Sequence, residues 1–402
     1  MDPSRIRITG PLAPHLEDLW SDLLAQGYTS LSSANVARLM ADLSRWLERK
    51  RLAPEQLDAD QIEGFVRHRK RAGYTCWRSK RGLEPVLVCL RRLGVVPQLE
   101  AAEVIQGPLD ELLDPYKEYL LHERGVAQAT VDFYERVARG FLSLHFGSRA
   151  IDFGGLTASD VCDFVLRESR KGSVKYTKYK VSALRSFLRY LYVGGEIVVD
   201  LAACVPTAAG WRLTSLPKAL SVDEVSRLLR SCDRRTHVGR RAYAAILMMV
   251  RLGLRAGEVA ALKLSDIHWT RGEIVIYGKG GQADRLPLPH DVGTALASYV
   301  RRSRPRISSQ RVFLRVRAPQ GALSSGGVKA IVTEAGRRAG LAPLGAHRLR
   351  HTAATAMLRE GASLSQIAHV LRHRHLNTTA IYAKVDRNSL RALAQPWPGG
   401  AA

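Results

Sequence analysis

Apolar residues recur at helical spacing through the first half of the chain. Leu112, Tyr116, Tyr119 and Leu120 keep the 3.6-residue period, as do Leu184, Phe187, Leu188 and Leu191, so this half reads as amphipathic helices. A weak echo runs through it. Leu57, Ala59, Ile62, Phe65 and Val66 recur at the same spacing as Leu156, Ala158, Val161, Phe164 and Val165. A basic stretch follows each set (Arg67 to Arg71, then Arg167 to Lys180), and an apolar–basic helix closes each, Leu87 to Leu93 and Leu184 to Leu191. Two small helical domains of similar build are one reading. Any two amphipathic helices look alike, however, and that plainer reading stays open.

The pattern changes in the last part of the chain. Ser221-Val-Asp-Glu224 and Ser363-x-x-Gln366 are capping boxes, each announcing a helix. A long apolar helix is expected over Ala242 to Val250. A β-branched run, Glu273 to Lys279, is followed by Gly280-Gly281 and a return strand, Asp284 to Leu288. Helices are expected again at Asp291–Arg302, Val328–Ala339, His347–Glu360, Ser363–Leu371 and Asn377–Val385. Pro/Gly-marked breaks fall near Val96-Pro97 to Gly107-Pro108 and from Gly194-Gly195 to Pro217. They divide the chain into helical domains at 1–105 and 108–205 and a mixed domain at 213–402. The fold class is mainly α with a small antiparallel sheet.

A chain of 402 residues is too long for one core, in keeping with that division. No apolar run approaches the roughly 20 residues that span a bilayer, and Met1 to Gly10 lacks a signal-like apolar stretch. A cytoplasmic, nucleoid-associated protein is expected, with no membrane partner. Cys76, Cys89, Cys162, Cys204 and Cys232 are scattered with no CxxC pair, which argues against disulfides or a cysteine zinc site. Charge is the informative number. Residues 213–402 hold 31 of the 61 Lys and Arg but 11 of the 37 Asp and Glu. Nearly all of the net +24 therefore lies on under half the chain, which points to a polyanion.

Five features of that basic segment belong together. They are Gly253-Leu-Arg255-Ala-Gly-Glu258-Val-Ala-Ala-Leu262; Lys279 beside the hairpin glycines; His347-Arg-Leu-Arg350-His351; Leu371-Arg372-His373; and Tyr382, nine residues further on. In order and in local wording they resemble the phage-integrase family of tyrosine recombinases. The resemblance covers about 217–390 strongly and 108–200 as the family's helical, SAM-like core-binding domain. It departs at Arg372, where the family usually has glycine, and at Gly345-Ala346, where it often has Ser or Thr to cap the helix.

The resemblance implies a DNA strand-transferase that cleaves and rejoins duplex DNA through a 3′-phosphotyrosyl link, without metal or cofactor. Tyr382 is then the nucleophile. Arg255 and Arg350 clamp the non-bridging oxygens, where each preorganised donor is worth about 3–4 kcal/mol in the transition state. Their planar forks suit those oxygens and stay protonated. Lys279 is the proton donor to the leaving oxygen. His347 is the general base or a phosphate ligand, and His373 a further phosphate donor. Glu258, one turn from Arg255, either holds that guanidinium or makes an ordinary surface pair.

Helical phase favours Arg350 over Arg348, because His347, Arg350 and His351 share one face. Tyr277 and Tyr299 read more simply as edge or core tyrosines. His347/His351 and His369/His373 have metal-ligand spacing, but no Glu follows either first histidine as a HExxH site needs, so zinc is not expected. By the same resemblance four subunits assemble on DNA, the tail beyond Tyr382 packs on a neighbour, and companion recombinases of one mobile element are possible partners. Residues 1–105 would be an added DNA- or partner-binding module. Rival readings are a type IB topoisomerase-like enzyme and a non-catalytic DNA-binding accessory protein.

Overall fold

The computed structural model describes residues 6–98, 108–147, 151–207, 218–278, 282–372 and 378–385. The chain divides into two compact units, Leu99–Arg212 and a second formed by Met1–Gln98 with Leu213–Ala402.

In the second unit, the N-terminal segment contributes four helices: α1 (Leu16–Ala25), α2 (Ser30–Lys50), α3 (Ala59–Arg71) and α4 (Lys80–Arg92). Thr29, Asp58 and Ser79 cap α2, α3 and α4 through their side chains. The core they close includes Leu19, Leu23, Met40, Leu47, Phe65 and Leu90. Although this core is its own, the segment coheres with the C-terminal one: the Gln320 N–H donates to the Gln26 carbonyl at 2.9 Å.

The other unit holds α5 (Pro108–Glu118), α6 (Gln128–Phe146), α7 (Ala158–Ser169) and α8 (Val174–Val193). A π-helical turn, Tyr119–Glu123, follows α5. The larger residues of the sequence echo are buried in both helical segments. Ile62, Phe65 and Val66 on α3 are buried, as are Val161, Phe164 and Val165 on α7. Phe65 meets Trp46 edge-on at 5.7 Å, and Phe164 meets Phe141 of α6 edge-on at 5.4 Å.

In the C-terminal segment, α9 (Val222–Arg230), α10 (His237–Leu252) and α11 (Ala256–Ala261) precede a three-stranded antiparallel sheet. It comprises β1 (Ile267–His268), β2 (Glu273–Tyr277) and β3 (Ala283–Pro287), in the order β1-β2-β3, with Glu273 opposite Pro287 and Tyr277 opposite Ala283. Four helices follow: α12 (His290–Arg302), α13 (Ser325–Arg338), α14 (Ala346–Arg359) and α15 (Leu364–Val370). Apolar α10 is the hub, with eight buried residues between Ala242 and Leu252, against α12, α13 and α14.

Both capping boxes form. Ser221 N–H donates to Glu224 at 2.8 Å and Ser363 N–H to Gln366 at 2.8 Å. Gly345 opens α14 with no side-chain cap. The helix expected over Asn377–Val385 is instead a 3₁₀ segment, Ala380–Val385, and Asn377 lies outside the described residues. Thr378, Thr379 and Ile381 are β-branched there, and such residues lose side-chain freedom in an α-helix.

Candidate active site

Two helix ends and two turns build the site. Helix α10 ends at Gly253, whose φ of 61° is left-handed. A Cβ at Gly253 would fall 2.4 Å from the Cδ2 methyl of Leu371, and the left-handed φ favours glycine there in its own right. The Gly253 carbonyl accepts Nη1 of Arg350 at 2.7 Å, and the Leu371 carbonyl accepts Nη2. Arg350 is thus 1% exposed and fixed by the ends of α10 and α15. Burial, and next the charge of Arg255, push its pKa down to about 10, which leaves it protonated at neutral pH.

Arg255 sits at the start of α11. Its Nη1 reaches Oε1 of Glu258 at 2.6 Å, and its backbone N–H donates to Oε2 at 2.8 Å. Glu258 is 7% exposed and Arg255 about 40%, so the carboxylate is core and the guanidinium keeps an open side. A second arginine shares the carboxylate: Nη2 of Arg372 lies 2.8 Å from Oε2. Two guanidinium groups thus share one carboxylate, and Arg350 is near enough to feel its charge.

Tyr382, in the 3₁₀ segment, packs against Ala354, Ile367 and Leu371 and is 2% exposed. Its hydroxyl lies 2.9 Å from Nδ1 of His351, on the α14 face that carries Arg350. The His347 ring meets that of His351 at 4.6 Å. Burial pushes the Tyr382 phenol up against a smaller downward pull from Arg350, so it is neutral at rest. Burial, then His347 and Arg350, push His351 down to about 4. Two neutral groups therefore share one hydrogen bond. In the tautomer with hydrogen on Nε2, the phenol donates and His351 accepts.

Of the sequence candidates, Arg255, Glu258, Arg350, His347 and Tyr382 are gathered around this pocket. Lys279 and His373 lie outside the described residues. The other tyrosines are elsewhere: Tyr277 is exposed on β2, and the Tyr299 hydroxyl accepts the Leu314 N–H at 3.1 Å in the core. Arg348 turns away to the Lys218 carbonyl. Sequence reasoning missed the contact between His351 and Tyr382 and the buried place of Arg372. The shared helix face of His351 and the glycine position taken by Arg372 were their signals. Among the described residues, no group of three or more His, Cys, Asp or Glu could hold a metal ion, and no helix is long and apolar enough to cross a membrane.

Comparison with known proteins bears on the family. A model described as "Phage integrase family" matches residues 218–389, and one described as "Phage integrase, N-terminal SAM-like domain" matches 113–195. The y4rA protein of Sinorhizobium fredii, which carries an integrase/recombinase name, is 41% identical over 98% of this chain and 96% of its own length. The chain belongs to the phage integrase family of tyrosine recombinases. Enzymes of this family break and rejoin DNA. The tyrosine recombinase XerD of Listeria innocua is 31% identical over 70% of this chain and 97% of its own. The fold matches the XerH site-specific recombinase, solved on a palindromic difH substrate as a post-cleavage complex. There the TM-score is 0.58 at 20% identity, over 84% of this chain and 95% of that one.

Proposed function

We propose that this recombinase cuts duplex DNA with Tyr382 and reseals it after strand exchange. The phenolic oxygen attacks phosphorus, the bond to the 5′ oxygen breaks, and a 3′-phosphotyrosyl link holds the strand until another 5′-hydroxyl reverses the step. Arg350 and the open side of Arg255 take the non-bridging oxygens as charge builds on them. The phenolic proton has one described acceptor, Nδ1 of His351. His347, against that ring, binds the phosphate or takes the proton onward. Lys279 protonates the leaving oxygen and His373 donates to the phosphate, by the family motif.

Exchange between two duplexes requires four strand cuts, and each chain offers one Tyr382, so a tetramer on the DNA synapse follows. We place the protein in the cytoplasm, on the nucleoid, as the integrase of a mobile element, acting alone or with companion recombinases. Residues 1–105 add a DNA- or partner-binding module, and 108–205 and 213–402 each bind the duplex. The +24 net charge supports duplex DNA as the partner.

The buried Tyr382 hydroxyl on the histidine next to Arg350 carries this reading. The test uses a pool of nicked duplexes randomised through the centre, with a sulfur in place of the leaving oxygen to trap the adduct. The native chain forms a protein–DNA adduct that survives denaturant, and Tyr382→Phe forms none. Persistence of the adduct in that variant would refute the assignment.

A further inference from the structure

The least expected residue of the pocket is Arg372. Its φ of 55° is left-handed, a conformation that suits glycine and burdens an arginine. Its side chain is nevertheless 6% exposed and turned inward. There Nη2 reaches Glu258 at 2.8 Å and Nη1 donates to the Val370 carbonyl at 3.1 Å, while buried Nε finds no acceptor among the described residues. A charge held at such an unfavourable backbone position, with one donor unmet among the described residues, is a poor device for stability alone.

Its geometry suits another task. Both terminal nitrogens of Arg372 are engaged, by Glu258 and the Val370 carbonyl, and Glu258 connects it to half-exposed Arg255. Were Arg255 the sole cation on Glu258, the carboxylate would compete with a DNA phosphate for that guanidinium. With Arg372 on Oε2, part of the carboxylate's charge is already met. The three arginines with one carboxylate also hold two surplus positive charges instead of one. Arg372 moreover ties the turn that follows α15 to the start of α11, so two phosphate-facing segments share one ion pair.

We propose that Arg372 is a positioning residue for strand cleavage, acting through Glu258 to orient Arg255 and free it for the scissile phosphate. This rests on the recombinase reading above. The experiment therefore first requires that the native chain form the adduct on the same nicked pool; if it does not, that reading fails and not this one.

Single-turnover adduct formation is then measured for Arg372→Gly, Arg372→Ala and Arg372→Lys, alongside thermal unfolding. Glycine relieves the backbone, so Arg372→Gly is expected to unfold no earlier than the native chain. Its cleavage at saturating DNA is expected to fall about ten- to a hundredfold with the half-saturating DNA concentration unchanged. Arg372→Ala should slow equally, and Arg372→Lys should recover part of the rate. In a Glu258→Gln background, Arg372→Gly should add less than about threefold, because both changes remove one interaction. Cleavage by Arg372→Gly within twofold of native would overturn the proposal. So would a full additional loss in the Glu258→Gln background, or rates that merely track thermal stability across the three variants.

Discussion

Two carboxylates in this molecule are each shared by two arginines, and they serve different ends. In the N-terminal segment Asp42 pairs with buried Arg69 at 2.5 Å and with exposed Arg45. In the C-terminal segment Glu258 pairs with buried Arg372 and with half-exposed Arg255. The burial pattern is nearly the same: 5% and 48% exposure for Arg69 and Arg45, against 6% and 40% for Arg372 and Arg255. The surroundings differ. Arg69 lies over the Tyr74 ring at 3.9 Å, so its spare surface is spent on packing. Near Glu258 stands a third guanidinium, Arg350, held by carbonyls rather than by an acid. Sharing a carboxylate is therefore a structural device, and the third cation near Glu258 is what distinguishes the cluster proposed to bind phosphate.

The largest contrast should come from removing one arginine on each side. Arg350→Ala is expected to slow adduct formation by about a hundred- to a thousandfold at saturating DNA. Arg69→Ala should leave that rate within about twofold and destabilise the chain by about 3 kcal/mol, because it removes the buried partner of Asp42 and its packing on Tyr74. Cleavage kinetics beside chemical denaturation check both, and a catalytic loss in Arg69→Ala would erase the distinction.

A smaller effect should appear with pH. His351 binds a proton more weakly in the folded chain, at about 4, than the ordinary 6.5 of an unfolded histidine. The unfolded state therefore gains protons first as pH falls, and stability drops between about pH 6.5 and 4. Thermal unfolding across that window should show the slope, and His351→Gln should flatten it. Smallest of all, Arg45→Ala should cost under about 1 kcal/mol, as exposed pairs do. A larger cost measured by denaturation would mean that Asp42 is more like Glu258 than its surroundings suggest.

Much of the fold was legible because its signals are local. Ser221 with Glu224 and Ser363 with Gln366 announce helices in four residues each, and the β-branched run with its glycines announces the hairpin. The two-residue strand β1 is too short to carry a period, and the π turn at Tyr119–Glu123 has no pattern of its own. Helical phase alone put Arg350 on the face of His347 and His351. What the sequence withheld was the return of the chain. That the phenol of Tyr382 meets His351, 31 positions earlier, and that Arg372 turns inward to Glu258, 114 positions earlier, depends on how α11, α14 and α15 converge.

The 2% exposure of Tyr382 sets a cost on bringing its oxygen to the surface. Freeing the ring gives up roughly 2–3 kcal/mol of apolar burial and about 1 kcal/mol of hydrogen bond. On the order of one chain in several hundred would present its oxygen at any instant. If Tyr382 is the cutting group, as proposed, a chain on DNA thus holds it sheltered for most of the time. Commitment to breakage falls to whatever encounter repays that opening.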